Sequence, residues 1–447
     1  MKICLITLGC PKNDIDSELV AALLMGHGHC MVEDPQEADA AVVNTCGFIQ
    51  PAVEESLSVI LELAQLRAQG TLKRLVVSGC LVQRHPEALL TDIPEIDTLL
   101  GSSDHGLTLA AVEGTLEGRG HITANPVTII EEDRDLVAAR VPSTPASAYV
   151  RLGEGCSRRC AYCIIPALRG KARSREAADI VTEVRGLVAR GVREIVLVAQ
   201  DTTAYGRDRR DGGDLVTLLE DLLKIPGRFW LRIMYGHPAG VNERFLSFFA
   251  EAAGEKLLPY LDMPIQHVDE RVLRLMNRGH GEKRVRQTVE KLKARVPGMV
   301  LRTTVLVGHP GETSEGFARL RAFVEEGWFE HLGAFPFYPE EGSKAATLRP
   351  RPRFSTAVKR ADEVMLAQQE VSRKALLSLV GKRLPLLVEG PSPEHDLLTQ
   401  ARWAGQAPGI DGVVYLTDAP FVPQPGQWVQ GVVKRAHDHD LEAVVRR

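Results

Sequence analysis

The chain has 447 residues, of which 54 are basic and 58 acidic, and its formal net charge is -4. This length suffices for about three domains, and the near balance of charge excludes a global field that would draw the whole protein to nucleic acid. The opening apolar run is too short for a secretory leader, and no later run reaches membrane-spanning length. We therefore expect a cytoplasmic protein whose eight cysteines are metal ligands or buried thiols rather than disulfides.

Residues 1–116 read as alternating strands and helices. Strands are predicted at Lys2 to Leu8, Ala40 to Asn44 and Arg74 to Ser78, with helical stretches at 17–25 and 52–68. Continuous apolar strands separated by helices are typical of a doubly wound parallel sheet. The sequence therefore predicts an amino-terminal domain of this kind.

One cysteine follows each predicted strand, at Cys10, Cys46 and Cys80. Because the carboxyl ends of parallel strands meet at one edge, these three thiols could converge on one object. The alternative is that they are ordinary buried thiols. Cys4, inside a strand, and Cys30, in a predicted loop, are expected to have no such role.

Residues 117–148 lose periodicity and end in Pro142-Ser143-Thr144-Pro145-Ala146-Ser147. This composition predicts a linker between domains.

From Tyr149 to about Phe337, six strand-then-helix units follow one another. The predicted strands lie near Tyr149, Ile195, Trp230, Tyr260, Arg302 and Ala334. Six such units predict a partial (β/α)6 barrel with its mouth at the carboxyl ends of the strands. We expect Ser174 to cap the first helix and Gly191 to end it. A helix over 356–379 completes this predicted domain, 149–379.

Three cysteines follow the first barrel strand at CxxxCxxC spacing: Cys156, Cys160 and Cys163. Three soft thiolates can hold one face of a four-iron cluster and leave one iron free for a substrate or cofactor. A structural zinc site would need a fourth ligand, and no further Cys or His lies nearby in the sequence. The alternative is a zinc knuckle completed from elsewhere in the chain.

This motif, opening a run of strands and helices, resembles the radical S-adenosylmethionine (SAM) enzymes. In those enzymes the free iron binds SAM, and an electron from the cluster cleaves SAM to a 5′-deoxyadenosyl radical. The segments Leu8 to Asn13, Asn44 to Ile49 and Ser78 to Arg84 resemble the amino-terminal motifs of the methylthiotransferases, which insert sulfur and a methyl group into a C–H bond. The resemblance implies two 4Fe-4S clusters and SAM as cofactors, with Cys156, Cys160 and Cys163 holding the SAM-cleaving cluster and Cys10, Cys46 and Cys80 an auxiliary one.

Three more loops at the predicted mouth resemble family motifs, at 200–206, 263–267 and 307–313. Within these loops the residues expected to contact SAM are Gln200, Asp201, Gln266, Gly308 and Glu312. His309 stands where the family pattern has an aromatic residue.

Residues 380–447 switch to short strands separated by Gly and Pro turns, which predicts a small antiparallel β-barrel of five strands. This segment resembles the TRAM module, which in several relatives binds transfer RNA. Acidic residues slightly outnumber basic ones here and aromatic residues are few, so transfer RNA is an unlikely partner. A basic ribosomal protein fits this tail better.

The motifs Gly9 to Asn13, Cys46 to Ile49 and Cys163 to Pro166, followed by Arg169-Gly170, resemble the branch of the family that modifies a ribosomal protein. The implied reaction is methylthiolation of the β-carbon of an aspartate in small-subunit ribosomal protein uS12, with one SAM donating the methyl group and another the radical. An electron donor of flavodoxin or ferredoxin type and a sulfur donor are also implied. The alternatives are a methylthiotransferase for transfer-RNA adenosine and a non-catalytic, metal-stabilised ribosome-assembly factor.

Overall fold

The computed structural model describes residues 1–123, 134–144, 146–210, 212–393 and 398–446. Two six-stranded sheets and a closed five-stranded barrel follow one another along the chain. The predicted α/β fold class is confirmed, with its doubly wound sheet, partial barrel and small terminal barrel. No helix in these ranges is long and apolar enough to cross a lipid bilayer.

The amino-terminal sheet is parallel throughout and has the strand order β2-β1-β3-β4-β5-β6. Its strands are β1 (Lys2–Thr7), β2 (Cys30–Val32), β3 (Ala40–Thr45), β4 (Arg74–Gly79), β5 (Thr98–Leu100) and β6 (Gly120–His121). Its helices are α1 (Pro11–Gly26), α2 (Gln50–Ala68), α3 (Cys80–Arg84), α4 (Pro86–Asp92) and α5 (Thr108–Glu113). Separate apolar clusters cover the two faces of the sheet, which buries β3 completely.

Two details differ from the prediction for this region. Cys30 begins the edge strand β2 instead of lying in a loop. The sheet also continues to β6, beyond residue 116, because Gly120 and His121 pair with β5. Of the predicted linker 117–148, residues 124–133 and 145 lie outside the described part of the chain, and the domain boundaries stay a prediction.

The central domain contains the second parallel sheet, with the order β14-β13-β12-β11-β10-β7 and no closing pair among the strands described. Its strands are β7 (Ser147–Arg151), β8 (Gly153–Glu154), β9 (Arg173–Ser174), β10 (Glu194–Val198), β11 (Trp230–Ile233), β12 (Leu257–Asp262), β13 (Val300–Val307) and β14 (His331–Pro336), of which β8 and β9 form a separate antiparallel pair. Its helices are α6 (Arg134–Ala139), α7 (Ile165–Arg169), α8 (Ala177–Ala189), α9 (Leu215–Leu223), α10 (Glu243–Ala252), α11 (Glu270–Leu275), α12 (Glu282–Arg295), α13 (Ser314–Glu325) and α14 (Phe354–Leu377).

The predicted cap of the first barrel helix is wrong. Helix α8 begins at Ala177 with Glu176 at its N-cap. Ser174 instead lies in β9, where its hydroxyl donates to Asp208 at 2.6 Å. The local sequence pattern predicts a cap, but the Ser174 side chain binds Asp208 of a later loop and does not cap the helix.

The inside of the partial barrel is filled by the other two domains. Inward-facing residues such as Val196 and Tyr260 form one apolar cluster with Ile15 of α1 and with Leu387 and Ala407 of the carboxyl-terminal domain. Because these side chains are buried together, the three parts of the chain share a common core at this point.

The carboxyl-terminal domain is a closed barrel with the strand order β15-β16-β17-β19-β18. Its strands are β15 (Arg383–Pro391), β16 (Thr399–Trp403), β17 (Val414–Asp418), β18 (Trp428–Ala436) and β19 (Leu441–Val445). The sequence predicts an antiparallel barrel. The structure differs from this at one pair, because β17 and β19 are parallel. Strand β18 lies between β17 and β19 in the chain and is antiparallel to β19, and this reversal gives β19 the same direction as β17.

A buried ion triad fixes the terminal barrel to the central sheet. Glu194 on β10 accepts from Arg232 at 2.6 Å and lies 2.5 Å from the guanidinium of Arg402 on β16, and all three side chains are 0% exposed. Arg232 also lies over the ring of Tyr260, 4.3 Å from its centroid. A charged triad without solvent depends on all its members, since loss of one leaves an uncompensated charge.

Arg402→Met is expected to lower the free energy of unfolding by about 3 kcal/mol or more, because Glu194 then keeps only one cation in a buried site. The measurement is the urea midpoint of the full chain. Arg383→Met, at an exposed position on β15, is the control and is expected to change stability by less than about 0.5 kcal/mol. Equal midpoints for the two variants would contradict the anchoring role of the triad.

Candidate active site

The CxxxCxxC loop lies at the mouth of the partial barrel, between β8 and α7. Cys156, Cys160 and Cys163 are partly exposed thiols. The backbone N–H of Cys156 donates to the carbonyl of Gly170 at 3.0 Å, and that of Cys163 donates to the carbonyl of Cys160 at 3.1 Å. Gly155 has φ +72 and packs against the carbonyl of Lys171, so a side chain has no room there. These contacts fix the path of the loop backbone that carries the three thiols.

Two hydrogen-bond donors lie against the sulfurs of this loop. Arg278 donates to Cys160 Sγ at 3.5 Å, and the backbone N–H of Ile165 donates to Cys163 Sγ at 3.4 Å. Burial, and then the charges of Cys160 and Cys156, raise the pKa of Cys163 to about 12. Thiols of this kind lose their protons when a metal centre binds them, because the metal supplies the compensating charge. The donor set fits a four-iron cluster.

The second trio comes together from three different turns. Cys10 is the N-cap of α1, Cys46 follows β3, and Cys80 is the first residue of α3. A Cβ on Gly9 would lie 2.5 Å from Cys46 Cβ and 3.0 Å from its Sγ, so the first two turns are in contact.

The third turn is equally close. A Cβ on Gly47 would lie 2.8 Å from the carbonyl oxygen of Cys80. Burial is the main cause that raises the pKa of Cys46 to about 11, and the charges of Cys10 and Cys80 act in the same direction. The strand ends thus bring the three predicted thiols together, and their donor set also fits a four-iron cluster.

Within the described ranges, no three His, Cys, Asp or Glu side chains are arranged to hold a single metal ion. Each cysteine of an iron–sulfur cluster binds a different iron, and a cluster site is therefore wider than the site of one ion. The assignment of both trios as cluster ligands stays a prediction.

Arg169 connects the two trios. It lies on α7, directly after the CxxxCxxC loop, and its side chain is 2% exposed. Its Nε donates to Cys80 Sγ at 3.2 Å, and its Nη2 donates to the side chain of Asn13 at 2.6 Å. Its Nη1 lies 3.3 Å from both Asp16 and Glu154. One buried guanidinium therefore contacts the amino-terminal domain and the base of the CxxxCxxC loop together.

A cavity of about 360 Å³ opens beside Cys156. Cys156, Arg158, Asp201, Tyr205 and Arg278 are among the residues that line it. Arg158 donates to the Asp201 carboxylate at 2.5 Å. SAM carries an ammonium and a carboxylate group, and the paired charges on the cavity wall suit both.

The five residues predicted to contact SAM do not all lie at this cavity. Asp201 lines it, and Gln200 next to it donates to Glu154. Gln266 uses its backbone to pair with β13, at φ 71. Glu312 accepts from Gly308 N at 2.9 Å and pairs with Arg360 of α14. Gly308 packs against Ala357 of the same helix. The structure thus gives Gly308 and Glu312 a contact with α14, and the five assignments stay predictions.

Sequence reasoning missed Arg278 and did not single out Tyr235. Arg278 lies 118 residues from Cys160 along the chain, in no recognisable motif. Tyr235 follows β11 with φ 58, a rare conformation for a non-glycine residue. An unusual backbone of this kind is visible only in three dimensions.

Three family models match the chain. They describe the uncharacterized protein family UPF0004 at residues 2–101, the radical SAM superfamily at 150–324 and the TRAM domain at 380–445. Among solved structures, the radical SAM methyltransferase TsrM from Kitasatospora setae has a TM-score of 0.51 at 15% identity over 88% of this chain and 79% of that one. The cobalamin-dependent radical enzyme OxsB has a TM-score of 0.50 at 11% identity, and this chain spans 56% of its length. These structures show the fold.

Curated relatives resemble the whole chain. Ribosomal protein uS12 methylthiotransferase RimO from Anaeromyxobacter sp. (strain Fw109-5) is 44% identical over 98% of this chain and 92% of that protein. RimO from Sorangium cellulosum (strain So ce56) is 42% identical over 98% of this chain and 90% of that protein. RimO from Syntrophus aciditrophicus (strain SB) is 42% identical over 99% of this chain and 97% of that protein.

The fold and the matched domains define a radical SAM enzyme, a methylthiotransferase whose cofactors are SAM and 4Fe-4S clusters. The chain belongs to the RimO family of methylthiotransferases. The resemblance read from the cysteine motifs is confirmed.

Proposed function

We propose that the enzyme replaces a β-hydrogen of an aspartate in ribosomal protein uS12 with a methylthio group. The observation that carries methylthio transfer is the second thiol trio, which lies against the CxxxCxxC segment through Arg169 and through the contacts of Ile164 and Leu168 with Cys80. The printed names of the relatives support uS12 as the target.

When bound, SAM and the two clusters would supply a radical that removes hydrogen from carbon and the sulfur that takes its place. Arg278 and the N–H of Ile165 hold the CxxxCxxC thiolates by hydrogen bonds, as Arg169 holds Cys80. Asp201 and Arg158 would orient the charged ends of SAM in the cavity next to Cys156. Reactants held in this way are oriented before the reaction begins.

The terminal barrel gives little support to a transfer-RNA target. Trp428 packs edge-on against Trp230 of β11 at 4.6 Å between ring centroids. Trp403 contacts the same interior cluster. Two of the few aromatic side chains in the barrel are therefore committed to the core and are not free to stack on bases.

The chain, reconstituted anaerobically with iron and sulfide, is incubated with SAM, a chemical reductant and either uS12 or transfer RNA, and both substrates are analysed by mass spectrometry. We expect a methylthio group in place of one hydrogen on an aspartate of uS12, and none without SAM. A methylthio group found on transfer RNA alone would overturn the proposed target. A colourless preparation that contains zinc would favour the scaffold alternative.

In the cell, we propose that an electron donor of flavodoxin or ferredoxin type and a separate sulfur donor serve the reaction in the cytoplasm. Both follow from the chemistry, since the radical step consumes an electron and each turnover consumes a sulfur atom. Replacing the chemical reductant with reduced flavodoxin in the same mass assay tests the first of these partners.

A further inference from the structure

A buried lysine next to Cys10 of the second trio has no acidic partner. Lys12 lies in the first turn of α1, two residues after Cys10, and is only 9% exposed. Its Nζ is 4.5 Å from the centroid of the Tyr235 ring. Throughout the described ranges, no carboxylate lies within ion-pair distance of this Nζ. The ammonium of Lys12 is therefore a positive charge without a counter-charge, and a carboxylate that arrives from outside can pair with it.

The neighbouring carboxylates are engaged elsewhere. Asp262, behind Tyr235, accepts from the Tyr235 N–H at 3.1 Å and pairs with Arg302 at 3.2 Å. Asp16, one turn along α1, pairs with Arg151 at 2.5 Å.

Two more acidic residues lie on α1. Glu18 pairs with Arg140. Asp14 is two positions from Lys12, a spacing that directs the two side chains to different sides of a helix. None of the acidic residues of this helix therefore neutralises Lys12.

Contacts of Tyr235 connect Lys12 with both candidate sites. The backbone carbonyl of Tyr235 accepts from the N–H of Thr202 at 3.1 Å, and Thr202 follows Asp201, which lines the cavity. Cys10 lies close enough to Tyr235 that its charge, after burial and Asp262, raises the pKa of the tyrosine. A group bound to Lys12 on the Tyr235 ring would thus lie in the region of Cys10, and Tyr235 links this region to the loop that lines the cavity.

We propose that Lys12 binds the side-chain carboxylate of the target aspartate and selects this side chain over neutral ones. The inference rests on the proposed function and adds the residue that recognises the substrate. An arriving carboxylate supplies the missing counter-charge and forms a charge-assisted hydrogen bond. The β-carbon is bonded directly to that carboxyl carbon, and the same contact therefore positions the reacting atom. A neutral base such as adenine would leave the cation uncompensated.

The test compares the full-length holoenzyme with Lys12→Met, which keeps most of the length of the unbranched side chain but removes the charge. Binding is measured anaerobically for uS12 and for uS12 whose modified aspartate is changed to asparagine. The wild type is expected to bind the aspartate form about tenfold or more tightly, the typical effect of a hydrogen bond to a charged group. In Lys12→Met that preference disappears, and in Lys12→Arg part of it remains.

Lys73→Met is the matched control, because it removes one positive charge from the same domain at a side chain that is 71% exposed. It is expected to keep the preference for aspartate. Iron content and circular dichroism show whether each variant is folded and loaded, and Lys12→Gln replaces Lys12→Met if the latter does not fold.

A preference for aspartate that persists in Lys12→Met overturns the assignment. If that variant keeps the preference but shifts the midpoint potential of a cluster, the lysine serves the cluster instead of the substrate, which also overturns it. A wild-type enzyme that neither binds nor modifies uS12 overturns the proposed function, and this inference with it.

Discussion

Cys46→Ala is expected to remove half of the bound iron and to abolish methylthio transfer while SAM cleavage continues. Two three-cysteine sites would hold about eight irons per chain, because each can hold a four-iron cluster. Cys46 contacts the turns of the amino-terminal trio, whereas Cys156, Cys160 and Cys163 lie on their own loop. The variant should therefore keep about four irons and still form 5′-deoxyadenosine. Iron analysis, detection of this product and mass analysis of uS12 measure the three effects.

Cys30→Ser is the control for this experiment, since Cys30 is an exposed thiol at the start of β2 in the same domain. It is expected to keep all the iron and full transfer activity. Conversely, Cys160→Ala should keep the auxiliary cluster and lose SAM cleavage. A Cys46→Ala protein that retains eight irons, or that no longer cleaves SAM, would show that the two trios are not separate cluster sites.

The position of the amino-terminal trio was predictable because it follows from topology. The strands that end before Cys10, Cys46 and Cys80 are apolar and at least six residues long, so their pattern is visible in the sequence. Parallel pairing then requires their carboxyl ends to meet. Strands β5 and β6, with three and two residues, are too short to show a pattern.

The contacts between domains were not predictable. Arg169 and Cys80 are 89 residues apart in the chain, and Arg151 and Asp16 are 135 apart. Periodicity shows which face of a helix or strand is buried, but it carries no information about which other domain covers that face. The same holds for Lys12, because its contact with Tyr235 of another domain leaves no local signal in the sequence.

The contact between Arg169 and Cys80 leads to the second large expected effect. Arg169→Met removes a hydrogen-bond donor from the sulfur of Cys80, a predicted ligand of the auxiliary cluster. Hydrogen bonds to cluster sulfurs stabilise the more negative, reduced state. The midpoint potential of the auxiliary cluster is therefore expected to become more negative. The variant also leaves Asp16 and Glu154 with Arg151 as the shared cation, and the free energy of unfolding should fall by about 3 kcal/mol.

Arg278→Met is the matched comparison, because Arg278 donates to Cys160 of the other trio. Potentiometric titration followed by electron paramagnetic resonance is expected to show a shift of the auxiliary cluster alone in Arg169→Met and of the SAM-cleaving cluster alone in Arg278→Met. Arg169→Lys should restore little, since one ammonium group cannot reach Cys80, Asn13 and two carboxylates at once. The loss of an ion pair acts on folding, whereas the loss of a donor to sulfur acts on reduction. If Arg169→Met changed the free energy of unfolding without moving either midpoint potential, the guanidinium would hold the two domains together and have no effect on the cluster.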